Sequence, residues 1–277
     1  MLVGAAQTEP RLGEPARNLE TCLARLEQAA SAGCALVVLP ECSTSGYMFQ
    51  SEDEAARFAE EVPGPATEAL ERACARLDLH CVVGVLERDG DTLRNTALLL
   101  GPDGLAGRYR KTHLPFLGVD RFTSAGDEIP EVFETAIGRI GLEVCYDLRF
   151  PELTRGLALR GAELVAHPTN WPEPVKPLAD FMTRARAAEN RVFLVTANRV
   201  GHERGTEFFG WSQIVDPLGR RLVESAEAEE ALVVADVDLE QARMKDIVPI
   251  PGEYELHLFA DRRPELYGPL LEEIVMA

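Results

Sequence analysis

Two segments restrict this chain more than any others. "GCALVVLPE" (33–41) and "GAELVAHPTN" (161–170) both run from a helix end through a small residue, a strand, a proline and a polar loop. In the first, "ALVVLPE" is a continuous apolar run. Such a strand has no polar face to turn toward water, so it needs a sheet covered on both sides. The helices that would cover it are legible. Leu19, Cys22, Leu23, Leu26 and Ala30 recur at helical spacing behind Asn18, which the pattern makes an N-cap. "TEALERACARLDLH", "LADFMTRARAAEN" and "PELTRGLALRGA", with Pro151 in its first turn, read as further helices. "MLVGAAQT", "CVVGVLER", "RIGLEVC", "RVFLVTANR" and "EALVVADVD" read as strands, as does "TLRNTALLLGPDG" with its Pro-Asp-Gly turn, and "DPLGR" centres a hairpin. The expectation is one α/β domain over residues 1–277, in which the two matched strands deliver their loops to the same sheet edge. From about residue 249, "IPGEYELHLFADRRPELYGP" loses periodicity and reads as an arm packed on a neighbour.

Composition narrows the function. Of 277 residues, 46% are hydrophobic, enough for a sizeable core, and the net charge is −18 with a pI near 4.7. A surface this acidic cannot neutralise a row of phosphates, so nucleic acid is not an expected partner. The charge reads instead as a solvated face that keeps the protein soluble. The longest apolar runs are strand-sized, so no membrane span is expected, and "MLVGAAQTEP" lacks the basic region of a signal peptide. Six cysteines (22, 34, 42, 74, 81 and 145) lie scattered, which fits reduced thiols in the cytoplasm. The five histidines show no ligand spacing, so no metal site is expected.

Three strand-to-loop junctions each present a reactive side chain. They are Glu41 in "LVVLPECSTSGY", Lys111 in "RYRKTHLPF" and Cys145 in "GLEVCYDLRFPELTR". Strand ends are rigid supports that hold a group in place while loops vary. A lone buried cysteine is a small hydrophobe; the company of the other two makes Cys145 a candidate nucleophile. "LPE" ahead of a Gly-Tyr loop, "RKTHLP" and "VCYDLRFPE" stand in this order, separated by 70 and then 34 residues. They resemble the three signature segments of the nitrilase superfamily of carbon–nitrogen hydrolases. The similarity extends through "GAELVAHPTNW", "RARAAENRVFLVTANRVG" and "DRRPELYG".

That resemblance implies a four-layer αββα sandwich with two mixed β-sheets, a Glu41–Lys111–Cys145 triad and a homodimer or higher homo-oligomer. Glu41 would take the thiol proton as sulfur attacks and later hand it to the leaving amine. Lys111 and the Tyr146 N–H would stabilise the oxyanion, and Cys145 would carry a thioester, chemistry that needs neither a metal nor an organic cofactor. The substrate would be a small linear amide or an N-carbamoyl amine, with ammonia released. The alternatives are nitrile hydrolysis and a catalytically inactive binding paralogue. A Cys–His–Asp hydrolase would need a G-x-C-x-G elbow, which "EVCYD" lacks. Superfamily members often carry a further glutamate between the lysine and the cysteine; here Asp120 stands nearest, one methylene shorter. Tyr47, Phe116, Asp120, Tyr146, Asn170 and Trp171 are the expected substrate contacts. His113 is expected to be a structural imidazole, Cys42 a second thiol open to reagents aimed at Cys145, and Asp147, Arg149 and Glu152 a polar network holding the cysteine loop.

Overall fold

The computed structural model describes residues 1–225 and 227–272. The first half of the chain runs β1 (Leu2–Gln7), α1 (Pro15–Ser31), β2 (Cys34–Val38), α2 (Glu52–Ala56), α3 (Pro65–Leu77), β3 (His80–Asp89), β4 (Thr92–Gly101) and β5 (Gly104–Arg110). After β6 (Val132–Thr135) and β7 (Gly138–Leu142) come α4 (Pro151–Leu159), β8 (Leu164–Thr169), α5 (Lys176–Asn190) and β9 (Phe193–Asn198). Five strands and a short helix follow: β10 (Val200–Glu203), β11 (Thr206–Phe209), β12 (Gln213–Val215), β13 (Arg221–Glu224), β14 (Ala231–Asp236) and α6 (Glu240–Arg243). A hairpin of β15 (Ile247–Ile250) and β16 (Tyr254–Leu256) opens the tail.

Among the described residues the long strands form two six-stranded sheets, ordered β14-β1-β2-β3-β4-β5 and β13-β12-β9-β8-β7-β6. Both are mixed: β1, β2 and β3 run parallel in one, β7, β8 and β9 in the other, and antiparallel strands flank each set. The sheets pack face to face, α1 and α3 cover the outside of the first, and α4 and α5 cover the outside of the second. Strand β2 shows why its sequence is apolar throughout. Leu36 and Val38 join the cluster between the sheets, while Val37 and the following Leu39 pack under α1 and α3, all of them buried. Each such aliphatic side chain contributes about 1.5–3 kcal/mol by leaving water.

Two expectations need correction. The matched strands β2 and β8 do not share a sheet; they lie in opposite sheets and meet across the sandwich. Their loops converge because both strands end at the same end of it, with Asn170 Nδ2 donating to the Glu41 carbonyl at 2.9 Å. Asn18 is not the N-cap of α1, which starts earlier, at Pro15. Buried at 2% exposure, Asn18 instead ties down the preceding loop, accepting the Arg11 N–H and donating to the Arg11 and Thr44 carbonyls. The tail hairpin is largely exposed, and beyond it Phe259 packs against the cations of Arg155 and Lys245, 5.2 and 5.3 Å from its ring centre. No described helix is long and apolar enough to cross a membrane.

Candidate active site

Side chains from both sheets meet where β2, β5, β7 and β8 end. Strand β2 runs out through Leu39 and Pro40 to Glu41, and this turn lies hard against β3. The Gly84 N–H donates to the Pro40 carbonyl, and the Ser43 N–H donates to the Gly84 carbonyl. A methyl on Gly84 would sit 2.4 Å from the Glu41 Cα, so only glycine permits this approach. Lys111 follows the last residue of β5, its N–H bonded to the Asn95 carbonyl on β4. The loop after Cys42 is pinned from the far side by Glu203, which accepts the Tyr47 and Met48 N–H groups.

Lys111 Nζ lies 2.7 Å from Glu41 Oε1 and 2.6 Å from Asp120 Oδ2, and all three side chains are at 0% exposure. Asn95 Nδ2 donates to Glu41 Oε1 at 2.7 Å and to Asp120 Oδ1 at 2.8 Å. The Tyr47 hydroxyl lies 2.8 Å from Asp120 Oδ2. Buried lysine and glutamate survive in such a setting only as mutual counter-ions. Burial works against the Lys111 ammonium, but Asp120 and Glu41 on either side hold it well above the usual lysine range. Burial raises the Glu41 carboxyl, and Asp120 adds to that, while Lys111 and Asn95 pull it down. Glu41 Oε2 is buried and has no partner among the described residues.

Cys145 occupies a strained backbone position, with φ at 48°, a region most side chains avoid. Its surroundings enforce it. His167 Nε2 lies 3.2 Å from the Cys145 carbonyl, an acceptor, so the ring donates there. Burial drives this imidazole down to about 4, which keeps it neutral. Asp147, fully buried, accepts the Val144 N–H, the Tyr109 hydroxyl, the His113 N–H and His113 Nδ1. The His113 ring stacks on Phe150 with centroids 3.7 Å apart. The thiol itself is pushed up to about 12, first by burial and then by the Glu41 charge, against the opposing pull of Lys111. It therefore rests as a neutral S–H.

A cavity of about 140 Å³ opens onto Cys145. Its walls include Pro115, Leu117, Tyr146, Trp171, Val175 and Met182.

A family model described as carbon-nitrogen hydrolase matches residues 2–245. The chain belongs to this family. A nitrilase from Pyrococcus abyssi is 38% identical over 96% of this hydrolase and 98% of its own length. An omega-amidase from Homo sapiens is 32% identical, with 91% of each chain covered. Among solved structures, a carbon-nitrogen hydrolase from Helicobacter pylori superposes with a TM-score of 0.87 at 26% identity, over 99% of both chains. A mutant (E41Q) of an amidase from Nesterenkonia sp. AN1, bearing the acetamide moiety of fluoroacetamide on its active-site cysteine, gives 0.80 at 26% identity, over 96% and 95%.

The expected substrate contacts divide in this hydrolase. Tyr146 and Trp171 line the cavity. Phe116 does not: it is 90% exposed, because in this loop its neighbours Pro115 and Leu117 turn inward and leave it facing water. Tyr47, fully buried, stands behind Asp120, and Asn170 turns its amide back to the Glu41 backbone. Nor do Arg149 and Glu152 join the Asp147 network. Both are exposed, and its donors come from Tyr109, Thr112, Val144 and His113 instead. Cys42 is buried at 0% exposure, so burial shields it from reagents entering at Cys145. Asn95, Glu143 and His167 were not foreseen. His167 carries a faint signal, a lone polar residue inside the apolar run "LVAHP", and Glu143 carries another in "GLEVC", just past the end of β7; Asn95 carries none, since β4 is already polar around it in "TLRNT".

Proposed function

We propose that this hydrolase cleaves the C–N bond of a small linear amide through a thioester on Cys145 and releases ammonia. The observation that carries the reading is a fully buried cluster of one ammonium between two carboxylates, near enough to a cysteine held at positive φ that the Glu41 and Lys111 charges both act on its thiol. In this reading the thiol proton passes to Glu41 Oε2 as sulfur bonds to the amide carbon. The oxygen that becomes negative meets the third Lys111 N–H, since Glu41 and Asp120 occupy the other two. The Tyr146 N–H, in the opening turn of a short 3-10 helix with no intrahelical acceptor, is the second donor. One such donor is worth about 3–4 kcal/mol of barrier. Glu41 then returns the proton to nitrogen, the C–N bond breaks and ammonia departs. Water attacks the thioester, gives its proton to Glu41, and the acid leaves as the thiol reforms.

The small cavity supports a short substrate, well below the roughly 300–1,000 Å³ of drug-sized pockets. The omega-amidase relatives support an amide at the end of a carboxylic acid chain. An N-carbamoyl amine would pass through the same steps. Buried, unpaired thiols support a reducing, cytoplasmic setting, and the family resemblance supports a homo-oligomer. The test is an ammonia-release screen over omega-amides of dicarboxylic acids, N-carbamoyl amines, N-carbamoyl amino acids and nitriles, with Cys145→Ala as blank. Amide turnover abolished in the blank is the expected result. Equal release by Cys145→Ala, or turnover of nitriles alone, overturns the reading.

A further inference from the structure

We propose that Asn95 is a positioning residue that decides which oxygen of Glu41 serves as the base, with the Cys42 thiol behind it keeping its amide the right way round. The inference rests on Glu41 being that base, as read above. The side chains form a closed ring. Lys111 Nζ and Asn95 Nδ2 each bridge the same two acids, sharing Glu41 Oε1 and taking opposite oxygens of Asp120. An amide nitrogen carries two hydrogens, and Asn95 spends one on each carboxylate. Glu41 Oε1 is thus held by two donors while Oε2, equally buried, has none among the described residues. An oxygen already accepting two hydrogen bonds is the poorer proton acceptor, so the thiol proton goes to Oε2. Without Asn95, nothing described would stop the Glu41 carboxylate from swinging both oxygens onto Lys111.

Only asparagine meets the geometry. Its Oδ1 faces Cys42 Sγ at 3.8 Å, where the thiol is the donor. Reversing the amide would set its carbonyl between two carboxylates. Aspartate would add a third acid to the cluster, and leucine would offer no donor. Asn95 is 1% exposed and does not line the cavity, so it acts through Glu41 and not on the substrate. Its hydrogen bond is one of the influences that lower the Glu41 carboxyl against the burial that raises it.

The test compares Asn95→Ala with Asn95→Leu, which keeps the volume, using kcat and KM across pH on an amide that the parent hydrolyses. The expected result is a kcat loss of about 100-fold, the scale of a misplaced catalytic group, with KM within about twofold. The acid limb of the kcat/KM profile should move to higher pH, because Glu41 holds its proton more tightly. Cys42→Ser, which keeps a donor, should lose less than Cys42→Ala, with the alanine variant shifting the limb the same way. A merely structural role would lower thermal stability and leave the profile where it was, and an unmoved profile in the folded variants overturns the proposal. If neither Asn95 variant folds, the Cys42 pair decides by the same criterion. An active Cys145→Ala protein would instead condemn the triad reading itself, so the two failures are distinguishable.

Discussion

Glu143 is the residue whose environment most contradicts its chemistry. It sits two positions before Cys145, fully buried, with Oε2 accepting the Thr154 hydroxyl at 2.8 Å and Oε1 without a partner among the described residues. Burial pushes its carboxyl up to about 8 from an ordinary 4.5, with the Asp147 charge adding to the rise. The folded state therefore holds this proton more tightly than the unfolded chain does. The stability it confers is complete below about pH 4.5 and is lost as pH climbs through about 8, at up to about 1.4 kcal/mol per pH unit. Glu143→Gln mimics the protonated acid. Denaturant titrations from pH 5 to 9 should show parent and variant close together in acid and the variant more stable by a few kcal/mol at the alkaline end. Parallel curves would mean that the carboxyl titrates normally. His167 works in the opposite direction: lowered to about 4 by burial, it withdraws stability as pH falls from about 6.5.

The strand end is the unit that turns sequence into a site. β2, β5, β7 and β8 each end in a residue or loop that reaches the same place, and each is anchored by its neighbours' backbone. The tightest anchor is the contact of β3 with the turn after β2. A Cβ on Gly84 would meet the Glu41 Cα at 2.4 Å and the Cys42 nitrogen at 2.8 Å, both backbone atoms that cannot step aside alone. Gly84→Ala should therefore displace Glu41 and cost about 100-fold in kcat, since small misplacements of a reacting group carry penalties of that order. The measurement is kcat alongside circular dichroism. A folded variant with parental kcat would show that the turn can relax. The start of α1 at Pro15, ahead of Asn18, belongs to this scale too. Periodicity locates a helix well and its first turn poorly, because Pro15 sets the start as effectively as a capping side chain.

Across the whole molecule, 46 acidic side chains face 28 basic ones. Many basic groups are already engaged, as in the Glu87 pair with Arg108 and Arg110, leaving an excess of negative charge to repel itself. Lengthening that repulsion at low salt should weaken the compact state, because the screening length grows from about 8 Å near 0.15 M to about 30 Å at 0.01 M. The melting temperature should therefore rise between 10 mM and 500 mM sodium chloride. A melting temperature that falls with salt would show that the surface ion pairs outweigh the net charge.

Much was readable before any tertiary information. Apolar runs of strand length alternating with amphipathic helices required a sheet covered on both sides, and three motifs in order pointed to the acid, the ammonium and the thiol. These are local properties, written in spacing and side-chain type. The partition of β2 and β8 into opposite sheets was not local, nor was the outward turn of Phe116. The bridging of Asn95 between Glu41 and Asp120, residues 54 and 25 positions away, was equally hidden. A hydrogen bond between distant residues leaves no period in the chain, so only packing two sheets into one core decided which polar side chains would face each other without water.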